Sequence, residues 1–149
     1  MVSNEQINVN KRNGRGLEAL NIDKIHSMVG FATEGITGVS ASHVEMNSGI
    51  QFFDKISTED IQQILIKSAN DLISLENPNY QYVAARLLLF SLRKKLHHRL
   101  WEHPKFIDHI KKIVDLGLYD KGILENYTEA EIDRMGMWID HERDYSFTY

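Results

Sequence analysis

The stretch from Tyr80 to Trp101 restricts the fold most, because a helix formed there has to be buried. Its centre, VAARLLLF, is apolar nearly all round a helical projection. Such a helix is stable in water only when neighbouring elements cover it on several sides. With 149 residues, the chain is about one domain long and can bury a real core. The pattern therefore predicts a buried helix within a helical bundle.

Capping signals and apolar periodicity predict the other helices. Asn21 can cap one helix, and Ser57-Thr58-Glu59-Asp60 and Thr128-Glu129-Ala130-Glu131 are capping-box patterns. The spacing predicts that Ile22, Phe53 and Ile73 face inward. The predicted helices run from Asn21 to near Gly35, from about Ala41 to Phe53, from Ser57 to the break at Glu76–Asn79, from Pro104 towards a loop at Asp120–Asn126, and from Thr128 to about His141. In the second and fourth of these, the inward residues are Val44, Ile50 and Phe53, and Phe106, Ile110, Ile113 and Val114.

A short β-hairpin is predicted near the N-terminus. Ile7 and Val9 alternate with two asparagines, and Asn13-Gly14 then gives the strongest short hairpin signal. A second strand through Leu17–Leu20 completes the hairpin. The predicted class is α+β, dominated by helix.

The hairpin also contains Gly14-Arg15-Gly16-Leu17-Glu18-Ala19, a formal match to the dinucleotide fingerprint GxGxxA. A Rossmann site needs these glycines between a buried strand and a helix, with a parallel strand to follow. Here the preceding strand is polar at alternate positions, and the pattern predicts no second parallel strand at βαβ distance. We therefore assign the glycines to a hairpin turn. Because no Gly-Lys-Ser or Gly-Lys-Thr occurs, a bound phosphate would need side-chain cations and a helix N-terminus.

Charge and composition exclude several classes of function. The net charge of −4 argues against a nucleic-acid binder, and the clustered cations suit a small anion better than a polymer. The absence of cysteine excludes disulfides, thiolate zinc sites and thiyl-radical chemistry within these residues. No apolar run approaches the roughly 20 residues that span a bilayer, and no secretory start is visible. We expect a cytoplasmic protein with no membrane partner.

The seven histidines do not predict a metal site. His97-His98, His103 and His109 lie near one another in sequence, but no HExxH occurs and the spacing fits no common zinc site. We interpret them as surface or helix-end residues. His141–Asp144 is compatible with an acid/base cluster and equally with a charged helix end.

Several longer stretches resemble one family in order along the chain. VNKRNG, EALNIDKI, STEDIQQILIKSANDLIS and PNYQYVAARLLLFSLRKK resemble the ATP-cone of the class I ribonucleotide reductase large subunit. DHIKKIVDLGLYDKGIL, YTEAEI and IDHERDYSFTY resemble the segment that leads from the cone to the catalytic barrel. The resemblance implies a cone at residues 5–100, with a small β-hairpin or three-stranded sheet covering four helices. Residues 101–149 would be a helical connector, cut at SFTY where a barrel would begin.

The resemblance also implies one nucleotide site that uses cations and a carboxylate. Three cations would contact the triphosphate, a carboxylate and an amide would read the adenine edge, and two further polar groups would lie near the ribose and phosphates. In that order these residues are Lys11, Arg12 and Lys94; Glu18 and Asn21; Lys24 and Thr58. Charge-assisted hydrogen bonds from cations can offset a triphosphate without a P-loop. From the residues alone, Lys11 and Arg12 could also be a solvated pair, Lys24 helix surface and Thr58 an N-cap.

Apolar walls would complete the site, and two positions depart from the family pattern. The implied walls are Val9, Leu20, Ile25, Ile61, Leu65 and Phe90. Gln62 stands near the nucleotide where many members have a histidine, and Phe31 stands where some have a tryptophan beside a second nucleotide position. Any of the wall residues could equally be core, Phe90 among them.

The function that the resemblance implies is allosteric. ATP would activate and dATP would inhibit a ribonucleoside-diphosphate reductase, each bound with Mg²⁺. The parent enzyme would pair this large subunit with a radical-bearing small subunit and with other large subunits. This piece, having no cysteine, would be non-catalytic. Two alternatives stay open: a freestanding nucleotide-sensing or protein-interaction module, and a cone that has lost its ligand.

Overall fold

The computed structural model describes residues 7–11, 16–49, 51–98 and 103–149, and most of them are helical. A mixed sheet of three short strands accompanies the helices, which confirms the predicted α+β class. The elements are β1 (Asn8–Asn10), β2 (Leu17–Ala19), α1 (Ile22–Thr33), α2 (Ala41–Gly49), β3 (Ile56–Ser57), α3 (Thr58–Asp71), α4 (Tyr80–His97), α5 (Phe106–Asp115), α6 (Gly122–Asn126), α7 (Glu129–Gly136) and a 3-10 helix (His141–Ser146).

The sheet has the order β2-β1-β3, so the first strand lies in its centre. β1 pairs with β2 antiparallel, as predicted for a hairpin, and Val9 lies opposite Glu18. On its other edge β1 pairs with β3 in parallel, with Val9 opposite Ile56. The Lys11 amide donates to the Gly16 carbonyl at 3.1 Å where the hairpin closes. The turn that the Asn-Gly signal predicts lies outside the described residues.

The chain divides into two compact units. The first contains the residues up to Leu92 together with Asp144–Tyr149. Its core uses the apolar centre of α4, where Val83, Ala84, Ala85 and Leu87 are 0% exposed, which confirms the predicted burial of this segment. From other elements of this unit, Val29, Val44 and Leu65 are equally buried.

Several boundaries and inward residues differ from the prediction. Helix α2 ends at Gly49 rather than Phe53, and Phe53 is 59% exposed because it lies in the loop that follows. Ile50 lies outside the described residues. Helix α3 ends at Asp71 with Leu72 as its C-cap, so Ile73 lies beyond it and is exposed. Ile22 is 70% exposed because it occupies the first turn of α1, before the face that is covered.

The second unit comprises Arg93–Arg143. Helices α5 and α7 pack together through the buried residues Ile107, Ile110 and Ile132, with Phe106, Ile113 and Val114 only partly buried. The predicted capping box at Thr128 and Glu131 is present. Part of the predicted loop is instead the short helix α6, because Ile123 and Leu124 pack against this core.

Helix α7 ends at Gly136 rather than near His141. Met137 closes it through a C-cap hydrogen bond to the Arg134 carbonyl, and its side chain and that of Trp138 are exposed. Without a surface to cover these residues, the apolar pattern does not extend the helix. Among the described residues, no helix has both the length and the apolarity needed to cross a membrane.

Candidate functional site

Glu18 joins two lysines that come from different elements of the first unit. Directly opposed residues of an antiparallel pair point to the same face, so Glu18 shares a face of the sheet with Val9. Lys11 follows the end of β1, and its ammonium group forms an ion pair with Glu18 Oε2. Lys24, in the first turn of α1, places Nζ 3.2 Å from Glu18 Oε1. Three residues of the predicted site therefore meet at one carboxylate.

These contacts keep Glu18 ionised. The hydrogen bond from Lys11, then the one from Lys24, lowers the pKa of the Glu18 carboxyl below its usual value, and the weaker effect of desolvation opposes them. At neutral pH the cluster therefore contains two ammonium groups and one carboxylate. Its formal charge of +1 favours an anionic ligand, although Glu18 offsets one of the two cations.

A cavity of about 460 Å³ lies at the junction between β2 and α1. Its lining comes from one continuous segment, Glu18, Ala19, Leu20, Asn21, Ile22 and Asp23. Asn21 is the N-cap of α1, and its Oδ1 accepts a hydrogen bond from the Lys24 amide at 3.0 Å. The side chain thus has a structural role at the start of the helix.

The start of α3 lies beside the end of β1. The parallel pairing places Ser57 opposite Asn10, the residue that precedes Lys11. Ser57, not Thr58, caps α3, and its Oγ accepts from the Asp60 amide at 2.9 Å. The interpretation of Thr58 as an N-cap is therefore wrong. Thr58 Oγ1 is buried and has no hydrogen-bond partner among the described residues, which is unusual for a buried hydroxyl.

Most of the predicted apolar walls are core residues. Val9, Ile25, Ile61, Leu65 and Phe90 are buried, and Leu20 is partly buried. Gln62 is also buried, at 3% exposure, and its Nε2 donates to the Leu87 carbonyl at 3.1 Å. Sequence reasoning missed this link between α3 and α4, because a polar residue on the inner face of a helix gives no sign of its partner.

Nothing in the structure tests three further residues of the predicted site. Arg12 lies outside the described residues. Lys94 lies on α4, beyond Leu92, and belongs to the second unit. Phe31 lies on α1 and is 48% exposed. Convergence of these three side chains on a nucleotide stays a prediction.

The second unit contains a larger cavity, about 800 Å³, that sequence reasoning did not foresee. Four histidines, His97, His103, His109 and His141, are among its lining residues. The rings of His97 and His109 meet edge to face at 5.7 Å, and those of His103 and His141 stack at 3.6 Å. Burial, with a smaller contribution from the nearby His109, lowers the pKa of His97. Spacing alone could not pair these histidines, because the two members of each pair come from different segments of the chain that meet only in the fold.

Comparison with models of protein families gives a match that covers most of the first unit. A family model described as an ATP cone domain matches residues 7–95, which is more than half of the chain. The chain belongs to the ATP-cone family. The matched residues of this ATP cone include the whole sheet, the lysine–glutamate cluster and nearly all of α4.

Relatives of this ATP cone carry the name ribonucleoside-diphosphate reductase. Ribonucleoside-diphosphate reductase 1 subunit alpha of Escherichia coli K12 is 49% identical over 146 residues, which is 98% of this chain and 19% of the relative. The alpha subunit of Buchnera aphidicola from Acyrthosiphon pisum is 50% identical over 141 residues, 95% of this chain and 18% of the relative. That of bacteriophage T4 is 42% identical over 143 residues, 96% of this chain and 19% of the relative. The chain thus spans about a fifth of the length of these relatives.

Proposed function

We propose that this ATP cone binds an adenine nucleotide beside β2 and α1. The bound nucleotide would regulate the activity of a ribonucleoside-diphosphate reductase. The observation that carries the proposal is the meeting of Lys11 and Lys24 at Glu18, next to a cavity, within the region matched by the family model. ATP would activate the enzyme and dATP would inhibit it. The nucleotide is the effector, with Mg²⁺ as its usual companion.

The residue chemistry supports a nucleotide as the ligand. Lys11, Arg12 and Lys24 can each donate charge-assisted hydrogen bonds to phosphate oxygens, and Lys94 would add a fourth cation. A carboxylate such as that of Glu18 accepts from the amino group of adenine. The buried Thr58 hydroxyl would gain a partner if a ribose or phosphate oxygen reached it.

The proposed parent protein is the reductase large subunit, in which this piece is regulatory. Reduction itself would take place elsewhere in that subunit, because the family uses cysteines and these 149 residues contain none. The partners would be the radical-bearing small subunit and other large subunits. Effector couplings typically amount to about 1–3 kcal/mol, so activity would change by about 5- to 150-fold.

Calorimetric titration with ATP and with dATP, each with and without Mg²⁺, tests whether the cone binds nucleotide. We expect saturable binding of both, and a Lys11→Ala, Arg12→Ala double substitution should weaken it at least tenfold. Each charged hydrogen bond contributes about 1.5–3 kcal/mol, of which solvent screens part. The matched control, Lys67→Ala with Lys121→Ala, removes the same charge elsewhere. No heat at millimolar nucleotide would overturn the proposal and favour a cone without ligand.

A second experiment tests the regulatory part. If the genomic reading frame continues past Tyr149 into a large subunit, the double substitution in that subunit should abolish the response of reductase activity to ATP and dATP, while basal activity stays. An undiminished response would overturn the assignment of the phosphate contacts. A stop codon directly after Tyr149 would instead favour a freestanding sensor module.

A further inference from the structure

We propose that Glu18 competes with the phosphate chain of a nucleotide for Lys11 and Lys24, the two lysines with which it forms ion pairs in the structure. Binding would then exchange partners, with the lysines moving from the carboxylate to phosphate oxygens. This inference rests on the proposed function and adds a reason why the site would bind free polyphosphate less tightly. It makes one side chain responsible for both phosphate affinity and base selectivity.

The geometry of the carboxylate is the first support. Lys11 pairs with Oε2 and Lys24 with Oε1, so each oxygen of Glu18 serves one lysine. The lysines come from the end of β1 and from α1, and Glu18 lies between them on β2. Each ammonium group has three donors, so it could contact Glu18 and a phosphate oxygen together, but the carboxylate takes up one of these donors and repels a phosphate placed beside it. A polyphosphate that uses the full donor capacity of both lysines therefore displaces the carboxylate.

Exposure makes that displacement feasible. The side chains of Lys11, Glu18 and Lys24 are 44%, 34% and 71% exposed. Ion pairs with this much solvent contact are weak, since water and salt compete for both partners. The Glu18 contacts would thus lower polyphosphate affinity by a modest factor and would not block the site.

Once the lysines contact phosphate, the Glu18 carboxylate is available to a base, which affects base selectivity. Glu18 and Asp23 line the same cavity, and an ionised carboxylate only accepts hydrogen bonds. A base that offers an amino group, such as adenine, can donate to Glu18 and recover part of the lost interaction. Hypoxanthine offers a carbonyl at the same position and would place two acceptors against each other. Glu18 should therefore weaken the binding of polyphosphate alone and favour ATP over inosine triphosphate.

The test compares inorganic tripolyphosphate, ATP and inosine triphosphate on three proteins by calorimetry at fixed ionic strength. The proteins are the unchanged chain, Glu18→Gln and the control Asp23→Asn, which removes the same charge from the same cavity. Glu18→Gln should bind tripolyphosphate about three- to tenfold more tightly, the sum of two exposed ion pairs. It should also reduce the preference for ATP over inosine triphosphate at least threefold. Asp23→Asn should change both quantities by less than twofold.

Three outcomes would overturn the inference. They are equal effects of Glu18→Gln and Asp23→Asn, weaker tripolyphosphate binding by Glu18→Gln, and an unchanged preference for ATP. If Glu18→Gln does not fold, Glu18→Asp keeps the charge but is too short to reach both lysines, and it should also bind tripolyphosphate more tightly. The proposed function has its own criterion, because it fails only if the unchanged chain does not bind ATP.

Discussion

The guanidinium carbon of Arg86 lies 5.1 Å from the centre of the Tyr145 ring. The same guanidinium group donates from Nη1 to the Glu34 carbonyl at 2.7 Å and to the Ala32 carbonyl at 3.4 Å, at the end of α1. Lys24, at the other end of this helix, takes part in the Glu18 cluster. Arg86 therefore connects the helix of the candidate site with the last residues of the chain.

We expect Arg86→Met to lower the free energy of unfolding by about 2–3 kcal/mol. Hydrogen bonds to a charged group contribute about 1.5–3 kcal/mol, and the carbonyls at the end of α1 would lose their donor. Methionine keeps much of the aliphatic packing, so the change reports mainly on the polar contacts. Urea denaturation of both proteins measures it, and a loss below 0.5 kcal/mol would contradict this role of Arg86.

We expect Tyr145→Leu to lower the free energy of unfolding by less than Arg86→Met does. An exposed cation–π contact contributes about 0.5–1 kcal/mol, and Tyr145 is an exposed residue. Tyr127→Leu is the control, because Tyr127 is also an exposed tyrosine but lies in the second unit. If the two substitutions have the same effect, the contact between Tyr145 and Arg86 does not contribute to stability.

The sequence correctly predicted those elements whose signal lies within a few neighbouring residues. The apolar run of α4 and the capping box at Thr128 carry their own signal within a few residues, and both are confirmed. β3 has only two residues, too few for any periodicity, and it pairs with a strand more than forty positions earlier. The helix α6 was missed because its apolar residues become informative only once α5 and α7 form a surface.

In the candidate site, too, contacts between residues that are distant in sequence could not be predicted. Glu18 and Lys24 were expected near one nucleotide because the family resemblance links them, yet nothing in the sequence indicates that they pair with each other. By contrast, the cap of α3 is a local feature: the capping-box pattern that begins at Ser57 is confirmed at that residue, and only the alternative reading of Thr58 as the cap is wrong. Contacts between distant side chains depend on the packed backbone, which one-dimensional spacing does not specify.

Gln62→Glu should destabilise the protein at neutral pH and less so in acid. The Gln62 amide is buried and donates to the Leu87 carbonyl, whereas an introduced carboxylate would be buried facing that acceptor. Such burial costs about 2–4 kcal/mol. Because burial raises the pKa of the new carboxyl, protonation at about pH 5 restores a donor and part of the stability.

Melting temperatures at pH 5 and pH 8 measure this difference. The control is Gln63→Glu, which adds the same group at the adjacent, exposed position. Its effect should be small and nearly independent of pH. Equal behaviour of the two variants would mean that the Gln62 contact is not formed.

Asp54 should give part of the acid sensitivity of the first unit. Its Oδ1 accepts from the Asn8 amide at 2.9 Å, and this backbone hydrogen bond is the main cause that lowers the pKa of Asp54 below 3.8. A lowered pKa in the folded state means that the contribution is complete above pH 3.8 and disappears as the pH falls through the lower value. Asp54→Asn should therefore be less stable than the unchanged protein at pH 6, with the gap closing as the pH falls below 3.8. Urea denaturation at several pH values measures the gap, and a constant difference would contradict the assignment.

Substitution by alanine should have opposite effects on stability at two helical glycines, Gly136 and Gly30. At Gly136, in the last turn of α7, an added Cβ would overlap the Cβ and Cγ of Phe106 on α5. Because the Phe106 Cβ is fixed to the backbone, a change of rotamer cannot relieve the overlap, and α5 and α7 would have to separate. We expect Gly136→Ala to cost about 1–3 kcal/mol, the usual penalty of overpacking.

At Gly30, in the interior of α1, an added Cβ meets nothing within 4 Å. Alanine is favoured over glycine inside a helix by up to about 1 kcal/mol, so Gly30→Ala should raise the melting temperature while Gly136→Ala lowers it. Calorimetry on the two single variants measures both melting temperatures. A stabilising effect at both positions would show that α5 and α7 do not approach as closely as the contact with Phe106 requires, whereas a loss at both would indicate that α1 is more crowded around Gly30 than its surroundings suggest.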